Sequence, residues 1–178
     1  MVFLIGYKKR VGKDTTANLL TEMLPNTTKK SFATPLKEIV SDMFGISVET
    51  LDNLKNTDSW LYEGNDKFEI SFRKILQRFG NGKIKHYFGR DVWAKLTLQG
   101  IKENVIVADF RFPEEYEVLK EYHKVVSIKV ERDIDNFDED ESENALNTFK
   151  FDYTIDNSGN INHLKNQLRD ILKEIKDG

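Results

Sequence analysis

The sequence predicts an α/β fold: a parallel sheet in three layers, with helices on both faces. Two observations carry this. Short apolar runs alternate with stretches of helical period along the whole chain. The run Val105-Ile106-Val107-Ala108 is apolar at every position, the pattern of a strand buried on both faces, and Val2 to Ile5 reads as a short buried strand of the same kind.

The elements follow in order. Val2 to Ile5 leads into a polar, glycine-containing loop and then a helix starting near Lys13. In that helix Ala17, Leu20 and Leu24 form one stripe, and Pro25-Asn26 stops it. Ser31-Phe32-Ala33 reads as a short strand, and Thr34 as an N-cap with Pro35 at the first helical position. Leu36, Ile39, Val40, Met43 and Phe44 keep the helical period up to Gly45, which suits the C-terminal cap. Ser47 to Leu54 reads as a further short helix, and residues 56–69 as a loop or flap. Ser71 caps a helix carrying Phe72, Ile75, Leu76 and Phe79 on one face, ended by Gly80. Asp91 to Ile101 is helical in pattern. Asp109 closes the strand Val105 to Ala108, and Pro113-Glu114 opens the next helix. Val125 to Val130 and Phe151 to Ile155 are strands. Asn157-Ser158-Gly159-Asn160 turns into a last helix with Leu164, Leu168, Ile171 and Ile175 on one side. The organisation expected is a single domain over 1–178, with an insertion or flap around 46–100 and a mobile acidic loop around 133–147.

Composition narrows the function. The chain has 178 residues, 39% hydrophobic and 32% charged, the balance of one well-cored globular domain. A formal net charge of −3 supplies no global attraction to nucleic acid or to an anionic membrane. Without cysteine there are no disulfides, thiolate metal sites or cysteine nucleophiles, which agrees with a reducing, cytoplasmic setting. The run Val2 to Ile5 is far shorter than a signal-peptide core or a membrane span. His86, His123 and His163 are scattered, which argues against a histidine-built metal site.

The segment Gly6-Tyr7-Lys8-Lys9-Arg10-Val11-Gly12-Lys13-Asp14-Thr15-Thr16 carries the chemistry. A loop that runs into a helix N-terminus presents backbone N–H groups and a positive dipole end to crowded phosphates. Gly12 lets the backbone approach closely, and Lys13 reaches the β- and γ-phosphates as a point charge. The standard pattern G-x-x-x-x-G-K-[ST] is met with two departures. Tyr7 stands where the first glycine is expected, and Asp14 takes the place of the Ser/Thr, with Thr15 one residue later. A basic turn that binds nothing, or a nucleic-acid patch built on Lys8, Lys9 and Arg10, are the competing readings. The strand before the loop and the amphipathic helix after it favour phosphate binding.

Seven pieces in order resemble the deoxynucleoside monophosphate kinases of bacteriophages. They are Lys9-Arg10-x-Gly12-Lys13-Asp14-Thr15, Phe32-Ala33-x-Pro35-Leu36-Lys37, and Arg73-Lys74-x-Leu76-Gln77-x-Phe79-Gly80. Next come Phe88-x-Arg90-x-x-Trp93 and Asp109-x-Arg111-Phe112-Pro113-x-Glu115, then Ser142-Glu143 and Asp156-Asn157-x-Gly159. The resemblance implies a P-loop NTPase fold and transfer of the ATP γ-phosphoryl group to a deoxynucleoside monophosphate with Mg²⁺. It also implies a homodimer, and no nucleic-acid or membrane partner.

On this sequence the resemblance implies the following roles. Arg10, Val11, Gly12, Lys13, Asp14, Thr15 and Thr16 hold the ATP phosphates, with Thr15 or Thr16 near the metal. Asp14 either links to Mg²⁺ or is a first-turn acid favoured by the helix dipole. Asp109, at the carboxyl end of a strand where open sheets place ligands, holds Mg²⁺ through water or meets the acceptor. Lys37 and Arg73 hold the acceptor phosphate, a dianion that two cations suit. Lys9, Leu36, Gly80 and Glu115 lie on the acceptor side, and Arg111 is the acceptor-side arginine. Trp93 either packs on the base or belongs to the core. Arg90 or Arg78 is the lid arginine, and Arg132 stacks on the ATP base. The catalytic set is Lys13, Arg90, Asp109 and Arg111; the metal set is Thr15 and Asp109. The alternatives are a P-loop kinase for shikimate or dephospho-coenzyme A, or an ATP-binding switch without an acceptor. The bases accepted stay open.

Overall fold

A computed structural model of the chain describes residues 1–55, 71–101, 103–133 and 144–178. It divides into two compact units, one of residues 1–31 and 98–178, the other of residues 32–97.

The first unit is built on a five-stranded sheet. The strands are β1 (Val2–Gly6), β2 (Thr27–Lys30), β3 (Asn104–Phe110), β4 (Val125–Glu131) and β5 (Tyr153–Asp156), in the spatial order β2-β3-β1-β4-β5 with every pairing parallel. Helices α1 (Lys13–Met23), α7 (Pro113–Lys120) and α8 (Ile161–Asp177) pack around it. β1 is central and fully buried, so its all-apolar sequence is what a strand covered on both faces requires. Alternate residues serve opposite faces. Phe3, Ile5, Ile106, Ile128, Val130 and Ile155 meet Leu20 of α1 and Leu164, Leu168 and Ile171 of α8 in one core. α7 packs against β4. The chain leaves β1 toward β3 and β2 on one side and toward β4 and β5 on the other, so the carboxyl end of β1 lies at the switch point where such sheets bind ligands. The β1–β3 register shifts between Leu4 and Gly6, and this irregularity opens directly into the loop that follows.

The second unit is helical among its described residues: α2 (Ala33–Phe44), α3 (Val48–Leu54), α4 (Phe72–Arg78), α5 (Ile84–Phe88) and α6 (Val92–Leu98), with a kink at Gly82 (φ −96°, ψ −127°) between α4 and α5. Ser47 and Ser71 cap α3 and α4 through their hydroxyls, and Gly45 ends α2 at φ 62°. Phe44 and Phe72 meet edge to face at 5.4 Å.

Several elements differ from the sequence reading. The strand expected at Ser31–Ala33 lies earlier, at Thr27–Lys30. It is a sheet edge, and its polar Thr-Thr-Lys-Lys sequence carries no apolar signal. Phe32, buried, precedes α2 in helical conformation, so Thr34 sits inside the helix rather than capping it. α4 ends at Arg78, within two residues of the stop read at Gly80, and the chain kinks at Gly82 before α5, which the sequence reading lacked. The last helix of the unit stops at Leu98, short of Ile101, ahead of Gly100 at φ 77°. The flap expected at 56–69 lies outside the described residues, as does most of the acidic stretch. Its far end, 144–148, is a turn that buries Leu146.

Candidate active site

The loop between β1 and α1 is closed by its own backbone. Lys13 Nζ donates to the carbonyl of Tyr7, at 3.0 Å, and to that of Lys8. The ammonium is thereby fixed inside the loop at the start of α1, with the positive end of the helix beside it. Gly12, the residue before the helix, has φ 101°, and no side chain caps the first-turn N–H groups. Tyr7 stands at φ 97°, a conformation that favours glycine and costs another residue roughly 1–2 kcal/mol. Tyr7 thus performs in backbone terms what the motif assigns to its first glycine. Its ring lies under Lys129 Nζ, 4.2 Å from the centroid, a contact that offsets part of that strain.

The hydroxyls and acids of the loop separate into different tasks. Thr16 is fully buried and its Oγ1 donates to the Gly12 carbonyl at 3.1 Å, so that hydroxyl serves the helix rather than a metal. Thr15 is exposed. Asp14 is exposed and pairs with Lys29 on β2 at 3.0 Å, as a first-turn acid can. Arg10 is exposed at φ 60°.

Beside the loop is a cavity of about 430 Å³, lined by Tyr7, Lys8, Val11, Glu131, Arg132, Asp133, Asp156 and Ser158. It lies at the carboxyl ends of β4 and β5, and Arg132 stands in its wall as an exposed side chain. Hydrogen bonds from the Ser158 side chain and backbone hold the Asp156 carboxyl below the ordinary carboxylate range.

At the carboxyl end of β3, the strand next to β1, Ser31 Oγ donates to Asp109 Oδ2 at 2.7 Å. Arg111 and Phe112 follow. Glu115 is 4% exposed, and its Oε2 accepts from the Arg111 and Phe112 backbone N–H groups at 2.9 and 3.1 Å. This reach-back shapes the turn that carries Arg111. Glu115, expected on the acceptor side, here holds the start of its own helix through these bonds.

In the second unit, Lys37 Nζ lies 2.9 Å from Asp52, which also pairs with Lys55. Burial pushes the Asp52 carboxyl up, but hydrogen bonds and charge from Lys55 and Lys37 outweigh it and hold the group below its ordinary value. Arg73 and Arg90 are exposed. Trp93 is 4% exposed, and its indole N–H donates to the Gly80 carbonyl at 2.8 Å. Of its two readings, the core one holds. Gly80 has no room for a side chain, since an added Cβ would lie 2.8 Å from Leu36 Cδ2. Leu36, Gly80 and Trp93 are buried in the unit and shape it from inside.

A family model described as deoxynucleotide monophosphate kinase matches residues 42–168, more than half of the chain. The chain belongs to the deoxynucleotide monophosphate kinase family. It is a kinase acting on deoxynucleoside monophosphates. The match begins beyond the phosphate loop, so the loop and the family model are separate observations. No curated protein matches the chain. Among solved structures it is similar to the shikimate kinase of Aquifex aeolicus, with 13% identity, TM-score 0.55, and 100% of this chain and 99% of that one covered. It is also similar to the shikimate kinase of Bacteroides thetaiotaomicron, with 13% identity, TM-score 0.43, and 98% and 97% covered. The first likeness shows a shared P-loop kinase fold. The family model, not the fold, separates a nucleotide acceptor from shikimate.

In this deoxynucleotide monophosphate kinase the loop follows β1, the Asp109–Arg111 turn lies at the carboxyl end of β3 and Arg132 follows β4, all at one end of one parallel sheet. The sequence reading left parts of this end out. It missed Asn157, whose side chain meets the phosphate loop from the far end of the chain. It missed Lys129 beneath Tyr7 and Ser31 on Asp109 as well. Asn157 carried one signal, its place in the motif Asp156-Asn157-x-Gly159; Lys129 and Ser31 carried none.

Proposed function

We propose that ATP is the phosphoryl donor, with residues 6–16 as the cradle for its phosphates, and that a deoxynucleoside monophosphate takes the γ-phosphoryl group to give the diphosphate and ADP. The observation that carries this reading is the Lys13 ammonium fixed by the Tyr7 and Lys8 carbonyls in a loop whose Gly12 only a glycine conformation permits. A cation held at a helix N-terminus, with the positive end of the helix dipole beside it, suits a polyphosphate.

In the transfer, an oxygen of the acceptor phosphate bonds to the γ-phosphorus while the bond from that phosphorus to the β,γ-bridging oxygen breaks. The acceptor needs no general base, because a phosphate monoester has its second pKa near ~6 and is already mostly a dianion. The work left to the protein is alignment and charge neutralisation. Lys13 stabilises charge on the moving group. Arg111, with Arg90 as the lid residue, neutralises the acceptor and the transferred oxygens. Lys37 and Arg73, with Lys9, hold the acceptor phosphate, Lys37 exchanging its bond to Asp52 for the ligand. Arg132 lies against the donor base in the cavity beside the loop. Mg²⁺, when bound, would supply charge neutralisation to the phosphates during transfer. The exposed hydroxyl of Thr15 and the half-buried carboxylate of Asp109 are hard oxygen donors of the kind it takes, and would hold it or its water. The setting is cytoplasmic, that of the host if the chain is of phage origin. A homodimer is checked by light scattering.

The test is ADP release from Mg-ATP with each of the four deoxynucleoside monophosphates, for the parent and for Lys13→Ala. Turnover with at least one of them, lost in the variant, supports the reading. Turnover unchanged by Lys13→Ala would sink the role of the loop.

A further inference from the structure

Asn157 stands in the first turn after β5, 146 residues beyond Val11, and its side chain reaches back to the phosphate loop. Its Nδ2 donates to the Val11 carbonyl at 2.7 Å. A Cβ added to Gly12 would lie 2.1 Å from that same Nδ2, so the amide group occupies the space that any other residue at position 12 would fill. Asn157 is itself anchored. Its backbone N–H donates to the Glu131 carbonyl at 2.8 Å, which extends the β4–β5 pairing by one step past Glu131 and Asp156. The turn beyond it is closed by the Ser158 N–H on Asp156 Oδ1 at 2.9 Å.

The consequence follows from peptide geometry. The Val11 carbonyl and the Gly12 N–H belong to one planar trans peptide and point in opposite directions. Holding the carbonyl toward the β5–α8 turn fixes the Gly12 N–H away from it. Without that restraint, a peptide next to a glycine in the left-handed region turns easily. The residues around Asn157 are also those of the base cavity: Glu131, Arg132, Asp133, Asp156 and Ser158 line it together with Tyr7, Lys8 and Val11.

We infer, given the assignment of residues 6–16 to the donor phosphates, that Asn157 is a positioning residue that orients the Val11–Gly12 peptide for phosphate binding and ties the phosphate loop to the turn bearing the base cavity. It acts through Val11 and touches no reacting atom. Removing it leaves Lys13 in place but frees the peptide, so the loss falls on donor binding and not on the acceptor.

The experiment compares the parent, Asn157→Ala, the near-isosteric Asn157→Asp, which lacks the donor, and Lys13→Ala. Four quantities are read: KM for ATP, KM for the deoxynucleoside monophosphate, calorimetric affinity for tripolyphosphate, which has no base, and the thermal midpoint. Both Asn157 variants are expected to raise the ATP KM about tenfold, the equivalent of about 1.4 kcal/mol of binding. Tripolyphosphate affinity is expected to fall in step, while the acceptor KM stays within about twofold. An ATP KM and tripolyphosphate affinity within about twofold of the parent in both variants would overturn the inference, whatever the thermal midpoint does. So would failure of both variants to fold, which makes Asn157 a structural residue. If Lys13→Ala abolishes tripolyphosphate binding while the Asn157 variants keep it, the loop keeps its assignment and only the role of Asn157 falls. If the parent binds no tripolyphosphate, both fall together.

Discussion

The phosphate loop and the 32–97 unit hold their functional residues in opposite ways. In the loop the bonds run from side chains to backbone carbonyls: Lys13 to Tyr7 and Lys8, Thr16 to Gly12, Asn157 to Val11. Those bonds fix the shape of the loop backbone that the proposed function gives to the donor phosphates. In the 32–97 unit the cations Arg73 and Arg90 are exposed, and Lys37 rests on an acidic partner. What is fixed there lies beneath the surface, in the packing of Leu36 on Gly80 and the indole bond of Trp93. A triphosphate is the same in every nucleotide and suits a rigid cradle. An acceptor differs by base, and exposed side chains on a shaped support can differ with it. The donor end is the preorganised one.

Substitutions that separate the two regions test this contrast. The largest effect is expected from Gly12→Ala. The new methyl meets the Asn157 amide at 2.1 Å on a backbone at φ 101°, and strain of this kind costs roughly 1–3 kcal/mol. The thermal midpoint should fall and the ATP KM should rise by more than tenfold, with the acceptor KM little changed. Equal rises in both KM values would break the contrast. Trp93→Phe comes next. It keeps the ring and leaves the Gly80 carbonyl without its buried donor, a loss of about 1–3 kcal/mol in stability. Here the acceptor KM should rise a few-fold and the ATP KM should hold, the reverse of Gly12→Ala.

The smallest effect belongs to Asp52. Its folded pKa is lowered, so the stability it confers is complete above the ordinary carboxylate value and is lost as pH falls through the lowered one. In Asp52→Asn that part of the acid limb of a stability–pH curve should vanish, and the neutral-pH cost should stay under about 1 kcal/mol for so exposed a pair. An acid limb identical to that of the parent would show that Lys37 and Lys55 do not depend on Asp52.

What was legible in the sequence follows the range of the interactions. β1, the phosphate loop and α1 are local: an all-apolar strand, a glycine before a lysine and a stripe of leucines declare themselves within about twenty residues. β2 escaped because an edge strand needs no apolar face, and Thr-Thr-Lys-Lys looks like a loop. Gly80 also has a steric need, set by Leu36, that no local pattern shows. The backbone bonds of Glu115 leave no local trace, because an acid near an arginine looks the same whether it faces solvent or caps its own helix. The tie between Asn157 and Val11 depends on the parallel order of β1, β4 and β5, which no local pattern encodes.

The most direct test of the central claim is phosphorus NMR of the protein with Mg-ATP and an equimolar mixture of the four deoxynucleoside monophosphates. The expected result is one deoxynucleoside diphosphate formed for each ADP, with no inorganic phosphate beyond the blank, and no such product from Lys13→Ala. ATP left intact, or converted only to ADP and inorganic phosphate, would contradict transfer to a deoxynucleotide.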